Sequence, residues 1–183
     1  MFTDGKPYGS LSWVKEPGPS ADGKNMTTFA RRRVLVVDDN AHARAFLAQI
    51  LGAVEVEVTQ AESGQQALKV LKFTPVDAVI LDMFMTPMDG IALARAIRAS
   101  DKADVASLPV IMASAQASRE VVQGAAAAGV SGFIAKPFSP AAVLKSLAKA
   151  FDAPARPAGQ ARPVPAAPAA PPEDDDSQAM AYL

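Results

Sequence analysis

Val34-Leu35-Val36-Val37-Asp38-Asp39-Asn40 is the stretch that decides the fold. Four apolar residues run without a break, and three of them are β-branched. A strand half-exposed to water would alternate. An unbroken run belongs to a strand covered on both faces, and such strands occur in parallel sheets flanked by helices. The two acids that follow mark where this buried strand meets solvent at its carboxyl end.

Reading outward from this strand, Ala43, Phe46, Leu47, Ile50 and Leu51 recur at helical spacing and face inward, with Gly52 as a stop. Val54-Glu55-Val56-Glu57-Val58 alternates, which predicts a half-exposed strand at a sheet edge. A helix over 63–72 follows, then a buried strand over 76–81 that Asp82 ends. Asp89 is the expected N-cap of a helix over 91–99. Residues 109–112 give a fourth strand, an Ala-rich helix runs to about Ala128 with Gly129 as its stop, and 132–135 give a fifth strand. Ser139 and Pro140 open the last helix, whose Val143, Leu144, Leu147 and Phe151 face inward. Five strands alternating with five helices predict an α/β, doubly wound, five-stranded parallel sheet in the order 2-1-3-4-5, a flavodoxin-like fold.

The chain has 183 residues, half of them hydrophobic, with a net charge of −1 and no cysteine. Near-neutrality removes the basic field that nucleic acid would need, and Arg31-Arg32-Arg33 is too short to restore it. The absence of thiols excludes thiolate metal sites and disulfides. No apolar run is long enough to span a bilayer, and the polar, Gly/Pro-rich start is not a signal peptide, so a cytoplasmic chain without membrane insertion is expected. Residues 33–151 carry the periodic pattern. Residues 1–32 and the Pro/Ala-rich, then acidic, 152–183 are expected to be disordered extensions. No output domain is legible after 151, which points to a stand-alone unit.

In a sheet of this order the active crevice lies beyond the carboxyl ends of the strands. Strand one ends in Asp38-Asp39, strand three in Asp82, strand four in Ser114 and strand five in Lys136. Two carboxylates 4 Å apart repel by about 4 kcal/mol at an effective dielectric of 20, so three acids on one rim call for a cation. Oxygen ligands without His or Cys select a hard ion, and Mg²⁺ suits a site that shares phosphate oxygens. Asp82 is then the anionic nucleophile toward a phosphoryl group, Lys136 a point-charge phosphate binder and Ser114 a hydrogen-bond donor to it. His42, the single histidine, reads as a solvent-side helix residue.

These residues, with Leu81-Asp82-Met83-Phe84-Met85-Thr86-Pro87-Met88-Asp89-Gly90, Ser114-Ala115 and Lys136-Pro137-Phe138, resemble the receiver domains of two-component response regulators, the chemotaxis-regulator-like single-domain type. The resemblance implies that Asp38, Asp39, Asp82 and the main-chain carbonyl of Phe84 hold Mg²⁺ and that Asp82 becomes the aspartyl phosphate. It implies Ser114 and Phe133 as the switch pair and Lys136 as the phosphate-binding lysine. The partners implied are a histidine kinase or histidine phosphotransfer protein upstream and an unidentified protein downstream, with phosphorylation-dependent self-association as a further route. Thr86 stands where the family has proline, which follows as Pro87. Such a domain is a phosphoacceptor and no enzyme beyond its own phosphorylation and dephosphorylation. The alternative is a haloacid-dehalogenase-like phosphohydrolase using Asp82 as nucleophile. That chemistry needs a second acid two residues on, where Phe84 stands.

Overall fold

The computed structural model describes residues 29–116 and 118–153. The expected N- and C-terminal extensions fall almost wholly outside these residues. Five strands, β1 (Arg33–Val37), β2 (Glu57–Ala61), β3 (Ala78–Asp82), β4 (Val110–Ser114) and β5 (Gly132–Ala135), form one parallel sheet in the order β2-β1-β3-β4-β5. Six helices connect them: α1 (Ala41–Gly52), α2 (Gly64–Phe73), α3 (Gly90–Arg98), α4 (Ala103–Ala106), α5 (Arg119–Ala127) and α6 (Pro140–Asp152). The one-turn α4 is additional to the five expected helices. It forms within the connection from α3 to β4, where Val105 and Leu108 bury themselves against the sheet.

The alternation of the strands sorts the core into two layers. Leu35 and Val37, Val79 and Leu81, Val110 and Met112 face α2, α3, α4 and α5. Val34 and Val36, Ala78 and Ile80, and Ile111 face α1 and α6. Every residue of β3 and β4 is buried, as an unbroken apolar run requires of a central strand.

Side-chain caps fix where the helices start. Asn40, Ser63, Asp89, Ser118 and Ser139 each accept from main-chain N–H groups of the first turn that follows. Gly129 closes α5 at φ +82, a conformation that costs other residues more.

Three expectations are corrected. The second strand begins at Glu57, three residues later than the alternation of Val54–Val58 suggested. The N–H groups of Val54 and Val56 both turn back to the carbonyl of Leu51, so the alternating stretch closes α1 before β2 pairs with β1. Phe46 is 42% exposed, because the face α1 buries is the narrower one of Leu47, Ile50 and Leu51. The packed unit also starts before residue 33: Phe29 is buried, with its ring 6.3 Å from that of Phe151, and Arg32 lies over the same Phe151 ring at 4.8 Å.

Candidate functional site

The carboxyl edge of the sheet gathers all five strand-end residues expected there. Asp38 stands one residue past β1, Asp82 and Ser114 close β3 and β4, and Lys136 follows β5. Carboxylate oxygens of Asp38, Asp39 and Asp82 lie within 4.8 Å of one another. Lys136 Nζ donates to Asp38 Oδ2 at 2.8 Å and pairs with Asp82 Oδ1 at 2.9 Å. One ammonium thus bridges two of the three acids.

Burial makes this arrangement costly. Asp38 is 1% exposed, Asp82 6% and Ser114 0%, whereas Asp39 is open to solvent. Burial pushes the Asp82 carboxyl above the ordinary carboxylate range. The Lys136 hydrogen bond and charge pull against this, the Asp38 charge adds to it, and the Met83 main chain lowers it without cancelling the rise. Burial also works against the Lys136 ammonium, yet its hydrogen bonds to Asp38 and Asp82 prevail and hold its pKa above the usual lysine value.

The backbone around the acids is tied down closely. Asn40 N–H donates to Asp38 Oδ1 at 2.8 Å, while Asn40 Oδ1 caps α1 by accepting from His42 and Ala43. Met83 N–H donates to the Ala113 carbonyl and Gly90 N–H to the Met83 carbonyl, each at 2.9 Å. Gly90 is required at its position, since a Cβ there would collide with the Asp82 carbonyl oxygen. Ser114 Oγ accepts from Gln116 N–H at 3.0 Å, and its own hydroxyl proton finds no acceptor among the described residues.

The donor set fits a hard divalent cation: oxygen atoms only, an excess of negative charge, and one carboxylate open to solvent. Mg²⁺ is the ion such a set suits, and Asp38, Asp39 and Asp82 are the side chains that could hold it.

Phe133 pairs in register with Met112, two residues before Ser114, and packs against the core on the α5 side. Phe84 is 50% exposed beside the rim, and His42 is exposed on α1. Two contacts were not read from the sequence. Arg44 donates through its guanidinium to the Asp38 carbonyl at 2.6 Å, and Lys136 bonds Asp38 as well as Asp82. Nothing local signals the Lys136–Asp38 contact, since 98 residues separate the pair. Arg44 left a weak trace, a cation in the first turn of a helix, where the helix dipole disfavours it.

The model of the response regulator receiver domain family matches residues 34–148, which spans every element of the sheet. The chain belongs to this family. Its relatives include the chemotaxis protein CheY-3 of Vibrio cholerae serotype O1, 39% identical over 121 residues that cover 66% of this chain and 92% of CheY-3. Among solved structures, the chemotaxis response regulator CheY4 of Vibrio cholerae superposes with a TM-score of 0.60 at 30% identity, covering 64% of this chain and 97% of CheY4. A response regulator receiver protein from Pseudomonas putida gives 0.60 at 32% identity over 66% of this chain and 98% of its own. This receiver domain is therefore a response-regulator signalling module of two-component type, a class that works with histidine kinases or phosphotransfer proteins and is generally not enzymatic. Among the described residues, no helix is long and apolar enough to cross a membrane.

Proposed function

We propose that this receiver domain takes a phosphoryl group onto Asp82 and changes its protein partners as a result. The observation that carries the reading is the position of Asp82. It ends a fully buried strand, lies within reach of Lys136, and shares a rim with two further acids, for which Lys136, on Asp38, is the only ion-pair partner among the described residues. Asp38, Asp39 and Asp82, joined by the main-chain carbonyl of Phe84, would hold Mg²⁺. When bound, that ion offsets the negative charge that would otherwise keep a phosphoryl donor away.

The transfer itself is a displacement. An Asp82 carboxylate oxygen attacks phosphorus of a phosphohistidine on a kinase or phosphotransfer protein, a P–O bond forms, and the P–N bond breaks. The electron pair returns to the imidazole nitrogen, which takes up a proton from solvent. Lys136 meets the phosphoryl oxygens as a point charge and keeps its second bond to Asp38, so it needs little rearrangement. Ser114 contributes the spare hydroxyl proton noted above. A buried donor without an acceptor is costly, and a phosphoryl oxygen on Asp82 would provide one. Phe133 is the packing partner proposed to respond when Ser114 shifts. Output then runs through protein–protein contacts, self-association included. The phosphohydrolase reading is not favoured, because Phe84 offers no acid to protonate a leaving group.

Intact-mass measurement after exposure to a small phosphodonor with Mg²⁺ tests the reading. Wild type gains one acid-labile phosphoryl group, and Asp82→Asn or wild type in chelator gains none. An adduct on the Asn variant removes Asp82 from the role.

A further inference from the structure

The sequence Asp38-Asp39-Asn40 turns the chain from β1 into α1, and its bonds are unevenly shared. Asp38 is held through Oδ1 by Asn40 N–H, through Oδ2 by Lys136 and through its N–H by the Ala61 carbonyl. Asn40 is held by its cap on α1. The Asp39 carboxylate makes no hydrogen bond or ion pair among the described residues, yet it is one of the three acids on the rim. With no side-chain partner, the backbone on either side sets its Cα–Cβ direction and the rotamers open to it.

The carbonyl on the Asp38 side belongs to the peptide unit that joins Asp38 to Asp39. Arg44 donates to that carbonyl through Nη1 at 2.6 Å. Its guanidinium does so from the first turn of α1, at the end of the helix dipole where a cation is least favoured. A cation placed against the helix dipole, with its guanidinium on one main-chain oxygen beside an unsupported carboxylate, calls for a reason beyond helix formation. We propose that Arg44 is a positioning residue: by fixing the Asp38–Asp39 peptide plane it aims the Asp39 carboxylate at the site proposed to take Mg²⁺. This rests on the reading of Asp38, Asp39 and Asp82 as metal ligands.

Charge and positioning predict opposite signs, which makes the proposal separable. Arg44→Met keeps the length and loses both the charge and the donor. If Arg44 acted only as a nearby cation, its removal would strengthen the attraction of three acids for a divalent ion. If it orients the ligand loop, its removal weakens binding by about tenfold, as loss of a support to a metal ligand does.

The experiment is calorimetric titration of the full chain with Mg²⁺ for wild type, Arg44→Met and Arg44→Gln. The glutamine amide is too short to span the same distance, so it gives a second reading if the methionine variant does not fold. Amide NMR of the metal-free proteins supplies a readout independent of binding. Asp39 and Asn40 resonances shift or broaden in the variants, while those of β3 and β4 stay in place. Weaker Mg²⁺ binding with this local change is the expected result. Equal or tighter binding by either folded variant overturns the role of Arg44. Absence of Mg²⁺ binding in wild type overturns the metal-site reading itself, and the proposal with it.

Discussion

The main-chain N–H of Lys136 donates to the carbonyl oxygen of Ser114 at 2.8 Å, one step beyond the last register pair of β4 and β5. The hydroxyl and the ammonium proposed to receive a phosphoryl group are thus carried on one hydrogen-bonded rung. A main-chain shift at Ser114 is therefore expected to move the Lys136 backbone with it.

Lys136→Ala removes the only ion-pair partner of Asp38 and Asp82 among the described residues. The metal-free variant is expected to lose about 1–3 kcal/mol, since two buried acids are left facing each other. Lys136 also competes with any other cation for these oxygens, so Mg²⁺ is expected to bind the variant more tightly while phosphorylation is impaired. Urea unfolding with and without Mg²⁺, paired with phosphorylation kinetics, measures all three effects.

Asp82→Asn is expected to raise the metal-free melting temperature by a few degrees at neutral pH. Burial raises the pKa of Asp82, so the folded state holds its proton more tightly than the unfolded chain does. The ionised group therefore costs stability, and the cost develops as pH rises from the ordinary carboxylate value through the raised one. Below that window the wild-type and Asn melting curves should converge. Lys136 has the opposite sense. Its raised pKa gives a contribution that is whole below the ordinary lysine value and is lost as pH climbs through the folded one. Melts in chelator from acidic to strongly alkaline pH would reveal both.

Gly90→Ala and Gly64→Ala test how rigid the rim is. A Cβ at Gly90 meets the Asp82 and Met83 backbone, whereas one at Gly64 meets the end of the flexible Met88 side chain, with Sδ at 2.7 Å. The first substitution should cost about 1–3 kcal/mol and slow phosphorylation, because it displaces the Asp82 peptide. The second should cost less and leave phosphorylation near wild type. Denaturant unfolding and a phosphodonor assay on the two variants give the contrast.

Ser114→Ala and Phe133→Ala are expected to separate accepting a phosphoryl group from responding to it. Both variants keep Asp82 and its metal-site neighbours, so both should still load a phosphate mimic. Partner binding or self-association should then respond less than in wild type. A full response in both would exclude the Ser114–Phe133 route.

The sheet was legible because a strand buried on both faces leaves an unbroken apolar run. Val34–Val37 and the apolar run before Asp82 read as interior strands, and Asp89 and Ser139 mark two helix starts by their capping chemistry. What stayed hidden depended on contacts distant in sequence or on competition between neighbouring signals. Val54–Val58 alternates like a strand, but the Leu51 carbonyl claims its first half. Phe46 has the right helical spacing and still projects into solvent, since periodicity gives a face and not its width. The five rim residues could be assembled by placing each at a strand end. Lys136 bridging two acids, and Arg44 holding a carbonyl, needed coordinates.

The ring contact between Phe29 and Phe151 has a practical consequence. The chain enters the domain just before β1 and leaves it at the end of α6, with the two aromatic rings touching at the amino edge of the sheet. Both exits are therefore neighbours on the pole opposite Asp82. A fluorophore, an affinity handle or a solid support attached directly at Phe29 or Asp152 would lie on the side of the sheet away from the acidic rim. The same proximity makes a short loop joining the two exits feasible, with new ends opened elsewhere on the surface.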